Sequence, residues 1–190
     1  MSSINLKKGG SIDLKKQVPS LSRIRVGMGW EKVAAPLDLD ASVFPCKHVN
    51  GQPKLFSDSH FVFFNNLSTP NRSIVHSGDN RTGAGEGDDE SVTIDLNLLE
   101  ADISEISFVV TIHEAIERNQ NFGMLKDAYI KVYDDVTGNV ICEYDLDATF
   151  TNETASQLGS LVKVNGQWSF HAVGAGYRMD LGDFLAGYQG

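Results

Sequence analysis

Leu161-Val162-Lys163-Val164-Asn165-Gly166-Gln167-Trp168-Ser169-Phe170-His171-Ala172 is the stretch on which the fold turns. Trp168, Phe170 and Ala172 alternate with polar neighbours, the period of a strand that presents one face to a core. Between the two runs stands Asn165-Gly166, a pair that tolerates the positive φ angles a two-residue hairpin turn demands. A β-hairpin is therefore expected over 161–172.

Working outward, the same alternation recurs. Ile24, Val26, Met28 and Trp30 face one way while Arg23 and Arg25 face the other. Val92, Ile94 and Leu96 repeat the pattern, as do Ile106, Phe108, Val110 and Ile112, and again Val140, Cys142, Tyr144 and Leu146. Turn-forming residues at 134–139 link the strand expected over 128–133 to the one that begins at Val140, and Asn50-Gly51 marks another reversal. Short helices are expected at 98–103, 113–122, 153–161 and 181–188, none with a long amphipathic stripe. The chain reads as mainly β: a two-sheet antiparallel β-sandwich with a few short peripheral helices, forming a single domain over 1–190.

Composition narrows the function classes. With 190 residues, 41% of them hydrophobic, the chain has the material for a real core. Its formal net charge of −9, with no basic patch beyond pairs such as Lys7-Lys8 and Lys15-Lys16, argues against binding to nucleic acid or anionic lipid. The apolar runs are too short for a transmembrane segment, and Lys7-Lys8 interrupts any secretory leader, so a cytoplasmic location is expected. Cys46 and Cys142 are read as reduced, apolar fillers.

Chemistry concentrates in Gly78-Asp79-Asn80-Arg81-Thr82-Gly83-Ala84-Gly85-Glu86-Gly87-Asp88-Asp89-Glu90, where five carboxylates and one amide meet a single arginine. Like charges about 4 Å apart in water-like surroundings cost on the order of 1 kcal/mol per pair, a penalty that a divalent cation removes. Hard oxygen donors in this number suit Ca²⁺, which takes about six to eight oxygens, and the glycines let backbone carbonyls turn inward. The same composition also describes a solvated acidic loop. Asp38 and Asp40 share one face of the chain if it is extended there, either to complete a site or simply to meet solvent while Leu37 and Leu39 pack inward. Asp-Leu-Asp-Ala occurs both at 38–41 and at 145–148, with no clear repeat flanking it.

Other motifs fail on inspection. Neither Asp38 nor Asp79 opens an EF-hand pattern, and the Gly83–Gly87 glycines lack the lysine and hydroxyl of a phosphate loop. His113-Glu114-Ala115-Ile116-Glu117 has glutamate where a zinc-protease helix needs its second histidine. His48, His60, His76 and His171 lie apart, and no nucleophile elbow is present, so no enzyme activity is expected.

These residues resemble the TerD family of tellurium-resistance and calcium-binding stress proteins. The resemblance is carried by Leu6-Lys7-Lys8-Gly9-Gly10, Val26-Gly27-Met28-Gly29-Trp30, Asp38-Leu39-Asp40-Ala41-Ser42 and Phe61-Val62-Phe63-Phe64-Asn65-Asn66. It is strongest at His76-Ser77-Gly78-Asp79-Asn80 and Gly85-Glu86-Gly87-Asp88-Asp89-Glu90, and it continues through Gln120-Asn121-Phe122-Gly123 to the segment from Trp168 to Tyr177. Phe64, where the family usually has tyrosine, and Met179-Asp180, in place of a more glycine-rich tail, are small departures. The resemblance implies a β-sandwich with two neighbouring Ca²⁺ sites, whose candidate ligands here are Asp38, Asp40, Asp79, Asn80, Glu86, Asp88, Asp89 and Glu90. It further implies a non-catalytic, calcium-dependent binding module whose partners are other proteins of the same stress or resistance system. A metal-dependent hydrolase using the acidic loop, with His76 as general base, is the competing expectation.

Overall fold

The hairpin at Asn165-Gly166 forms as expected, with Val164 opposite Gln167 and φ angles of 50° and 78° at the two turn residues. The computed structural model in which it is seen describes residues 3–32, 37–78, 87–146 and 150–189.

In chain order the elements are β1 (Ile4–Leu6), β2 (Ser11–Asp13), α1 (Leu14–Gln17), β3 (Arg23–Lys32), β4 (Leu39–Val49), β5 (Gln52–Leu55), β6 (Ile74–His76) and β7 (Glu90–Asp95). They continue with β8 (Glu105–Ile112), β9 (Leu125–Asp134), β10 (Val140–Asp145), β11 (Ala155–Val164), β12 (Gln167–Tyr177) and α2 (Leu181–Tyr188). Two six-stranded sheets result, ordered β1-β10-β9-β3-β7-β6 and β2-β12-β11-β8-β4-β5. All pairings are antiparallel except β1 with β10, which run parallel. The mainly β sandwich expected from periodicity is the fold observed.

The core lies between the sheets. Ile24, Val26 and Met28 of β3 and Ile130 and Val132 of β9 meet Val43, Phe108, Leu161 and Phe170 of the second sheet, all fully buried. The outer face of the second sheet is buried as well: Phe44, Cys46 and Val109 pack beneath Phe61 and Phe184, the latter from α2. Covering both faces explains why β4 is buried at every position over 39–46 and β8 at every position over 106–112, polar residues such as Ser42 and Ser107 included. Both cysteines are free and buried. Among the described residues no helix is long and apolar enough to cross a membrane.

Three of the four expected helices are corrected. Residues 155–161 belong to β11, where a bulge between Gln157 and Gly159 breaks the alternation. The bulge turns Leu158 and Leu161, three residues apart, both into the core, which mimics helical spacing. Residues 98–103 form turns, closed by bonds such as Ile103 N–H to Glu100 O. Residues 113–122 also form turns, and Glu114 and Asn119 adopt φ of 51° and 52°, which no right-handed helix accommodates. Only 181–188 is helical as expected, capped by Asp180 and Asp183 in a reciprocal capping box. The second Asp-Leu-Asp-Ala copy runs into residues 147–149, outside the described residues.

Candidate metal centre

Antiparallel pairing of β6 with β7, His76 opposite Val92, returns the chain to the same end of the sandwich on both sides of the acidic stretch. The His76 side chain joins the two sides. Its Nδ1 accepts the Gly78 N–H at 2.9 Å, which puts the ring proton on Nε2, 3.2 Å from Glu90 Oε2 and 3.2 Å from Ala41 O. Glu90 Oε2 also accepts the Ala41 N–H at 2.8 Å. Because β7 and β4 lie in different sheets, this buried pair stitches the sheets together at the acidic end. With both ring nitrogens bonded, His76 is unsuited to the general-base role considered for it.

Asp89 is fastened to β3 by its backbone N–H, which donates to Met28 O, and by Oδ2, which accepts the Trp30 N–H, each at 2.8 Å. Asp88 folds over the outer face of the first sheet into a seat of side chains. Its Oδ1 accepts hydroxyls from Tyr129 at 3.1 Å and Tyr133 at 3.0 Å, and its Oδ2 pairs with Arg25 at 2.8 Å. The Arg25 guanidinium in turn lies 3.7 Å from the Tyr133 ring centroid. Gly27 makes the seat possible, since a Cβ there would overlap the Asp88 carboxylate. Burial first, and the Asp88 charge second, push the Tyr133 hydroxyl up to about 12, and Tyr129 is raised for the same reasons. Both phenols therefore stay protonated and donate to Asp88.

Asp38 precedes β4 and Asp40 is its second residue. Asp38 O accepts the His113 N–H at 2.8 Å, and Asp40, itself buried, has Oδ2 3.7 Å from His113 Nδ1. Asp38 Oδ1 is buried and has no hydrogen-bond partner among the described residues.

The fold thus gathers Asp38, Asp40, Asp88, Asp89 and Glu90 at one end of the sandwich. Glu90 reaches the β4 backbone directly, whereas Asp88 turns away onto the outer sheet face. Asp79, Asn80 and Glu86 lie outside the described residues, and among those described no three His, Cys, Asp or Glu side chains already form a metal-holding group. Arg25, Tyr129 and Tyr133 escaped the sequence reading because their role depends on register across β3 and β9. The signal on offer was Gly27 and Gly29, which interrupt a strong strand and so mark a close approach.

Against this geometry, the TerD domain profile matches residues 1–188. The chain belongs to the TerD family. General stress protein 16U of Bacillus subtilis (strain 168) is 43% identical over 189 residues, covering 97% of this chain and 96% of that protein. Tellurium resistance protein TerD of Serratia marcescens is 42% identical over 189 residues, covering 98% and 97%. The crystal structure of a homologue of telluride resistance protein TerD from Streptomyces coelicolor A3(2) superposes with a TM-score of 0.62 at 22% identity, over 90% of this chain and all of that one, and bears on the fold alone. These TerD relatives carry the names of stress and resistance proteins, not of enzymes.

Proposed function

We propose that this TerD-family chain is a calcium-binding, non-catalytic module of a stress or tellurite-resistance response, acting in the cytoplasm. The observation that carries the reading is Asp38 Oδ1, a carboxylate oxygen withdrawn from water with no donor among the described residues. Leaving such a group unsatisfied costs about 1–3 kcal/mol or more, and a hard cation offsets that cost. The donor chemistry fits: Asp38, Asp40 and Asp89 offer oxygen, and the neighbouring His76 is committed to Gly78 and Glu90.

Asp38, Asp40, Asp79, Asn80, Glu86, Asp89 and Glu90 would hold Ca²⁺, as one ion or two. Asp88, with both oxygens bonded, would fasten the loop where it rejoins the first sheet. The bound ion would supply charge neutralisation and order the acidic stretch, and the ordered surface would be what other proteins of the same response recognise.

Thermal melting with Ca²⁺ and with EDTA tests the reading. If the folded form alone binds, stability rises by about 2.7 kcal/mol at one hundred times Kd. Asp38→Asn should lose most of that gain while melting like the parent in EDTA. A parent melting curve indifferent to both additions overturns the proposal.

A further inference from the structure

The sandwich carries a second feature at the end opposite the carboxylates. Strand β7 leaves the acidic end at Glu90 and finishes at Asp95, about 17 Å away at roughly 3.3 Å per residue. Just beyond it a recess of about 450 Å³ opens between α1, the turn after β7 and the β11–β12 hairpin. That volume lies in the range of small-molecule sites.

Leu14, Leu21, Leu96 and Trp168 give the recess an apolar wall, and Lys15 and Lys163 bring their amines to it; among the described residues no carboxylate lines it. In a chain of net charge −9 this is a local inversion of the average. Each ammonium group is held by one backbone carbonyl. Lys15 Nζ reaches Leu21 O at only 3.4 Å, while Lys163 Nζ donates to Ala101 O at 3.0 Å and stands 5.1 Å from the Trp168 ring centroid. Among the described residues neither lies within ion-pair distance of a carboxylate, although Lys16, next to Lys15, pairs with Asp13.

We infer that this recess binds a small amphipathic anion, with a short acyl chain or flat ring against the leucines and Trp168 and a single carboxylate or sulfonate between Lys15 and Lys163. An apolar wall alone would accept neutral molecules equally well. Two cations without carboxylate partners, at the edge of that wall, select for negative charge because an incoming anion competes only with neutral backbone carbonyls. The inference is independent of calcium binding, since it shares no residue with the acidic end.

The test is a ¹H–¹⁵N NMR titration of the full chain with octanoate, using octan-1-ol as the neutral control. Saturable shifts confined to residues 14–21, 96–101 and 163–168 are expected, weakening as salt is added. Octanol, and octanoate with the Lys15→Glu/Lys163→Glu variant, should each bind about tenfold more weakly. Absence of saturable shifts at millimolar octanoate, shifts centred on another surface, or equal affinity for octanol overturns the inference. The octanol comparison needs only the parent chain, so it decides the matter even if the double variant folds poorly.

Discussion

At the two ends of the sandwich, charged side chains are held in opposite ways. Where β6 meets β7, Asp88 is clasped by two hydroxyls and a guanidinium, Asp89 by the backbone of β3, and Glu90 by the backbone of β4 and by His76. At the other end Lys15 and Lys163 touch one carbonyl each and remain available to a ligand. The difference teaches that the negative charge of Asp88, Asp89 and Glu90 is immobilised as part of the framework, while positive charge at the other end is left at the rim as an adaptable contact. Clasped anions are bound into the framework by protein donors; tethered cations select a ligand without contributing much to folding.

That contrast can be broken, and the largest effect should come from Glu90→Ala. It leaves the Ala41 N–H without its acceptor and the His76 ring with Ala41 O alone inside a buried seam between sheets, so a loss of about 3 kcal/mol in urea denaturation is expected. Gly27→Ala comes next. Its new methyl would evict Asp88 from the seat, leaving Arg25 and two tyrosines to rearrange, at about 2 kcal/mol by the same measurement. Lys163→Ala, at the opposite end, should cost less than about 1 kcal/mol, because an exposed amine over a ring and a single carbonyl contributes little. A Lys163→Ala loss as large as that of Glu90→Ala would abolish the distinction between the ends.

The smallest effect sharpens the comparison through pH. Near the lysine end one carboxylate is paired through a single oxygen: Glu100 Oε1 lies 2.8 Å from His60 Nε2, while Oε2 is buried with no hydrogen-bond partner among the described residues. Burial opposes ionisation of Glu100, but the hydrogen bond and charge of His60 outweigh it and hold the carboxyl below its ordinary 4.5. A depressed folded-state value means stability that is fully present above 4.5 and is lost as pH falls through the folded value. Glu100→Gln should therefore be slightly less stable than the parent at neutral pH and converge with it on acidification below 4.5, as followed by urea denaturation across pH. A constant gap down the acid limb would show that the pair contributes through packing alone.

Much of this was legible beforehand, for identifiable reasons. The hairpin at Asn165-Gly166 and the alternating strands β3, β7 and β8 are local patterns, written in neighbours two residues apart. Over 155–161 a bulge erases that period, and over 98–103 and 113–122 turns satisfy the backbone without building a helix. At the acidic end the oxygen-rich composition was plain, but the division of labour within Asp88-Asp89-Glu90 was not. Three consecutive side chains go to the outer sheet face, the β3 backbone and the opposing sheet, according to which strand passes nearby.

The sequence by itself determined the β character of the chain, its principal turns, and the concentration of hard oxygen donors between β6 and β7, since each depends on residues close together along the backbone. Tertiary structure alone decided that Arg25, Tyr129 and Tyr133 receive Asp88, that His76 and Glu90 join the two sheets, and that Lys15 and Lys163 face one apolar recess. Those pairings span dozens of residues and are set by strand order and register, which no local pattern encodes.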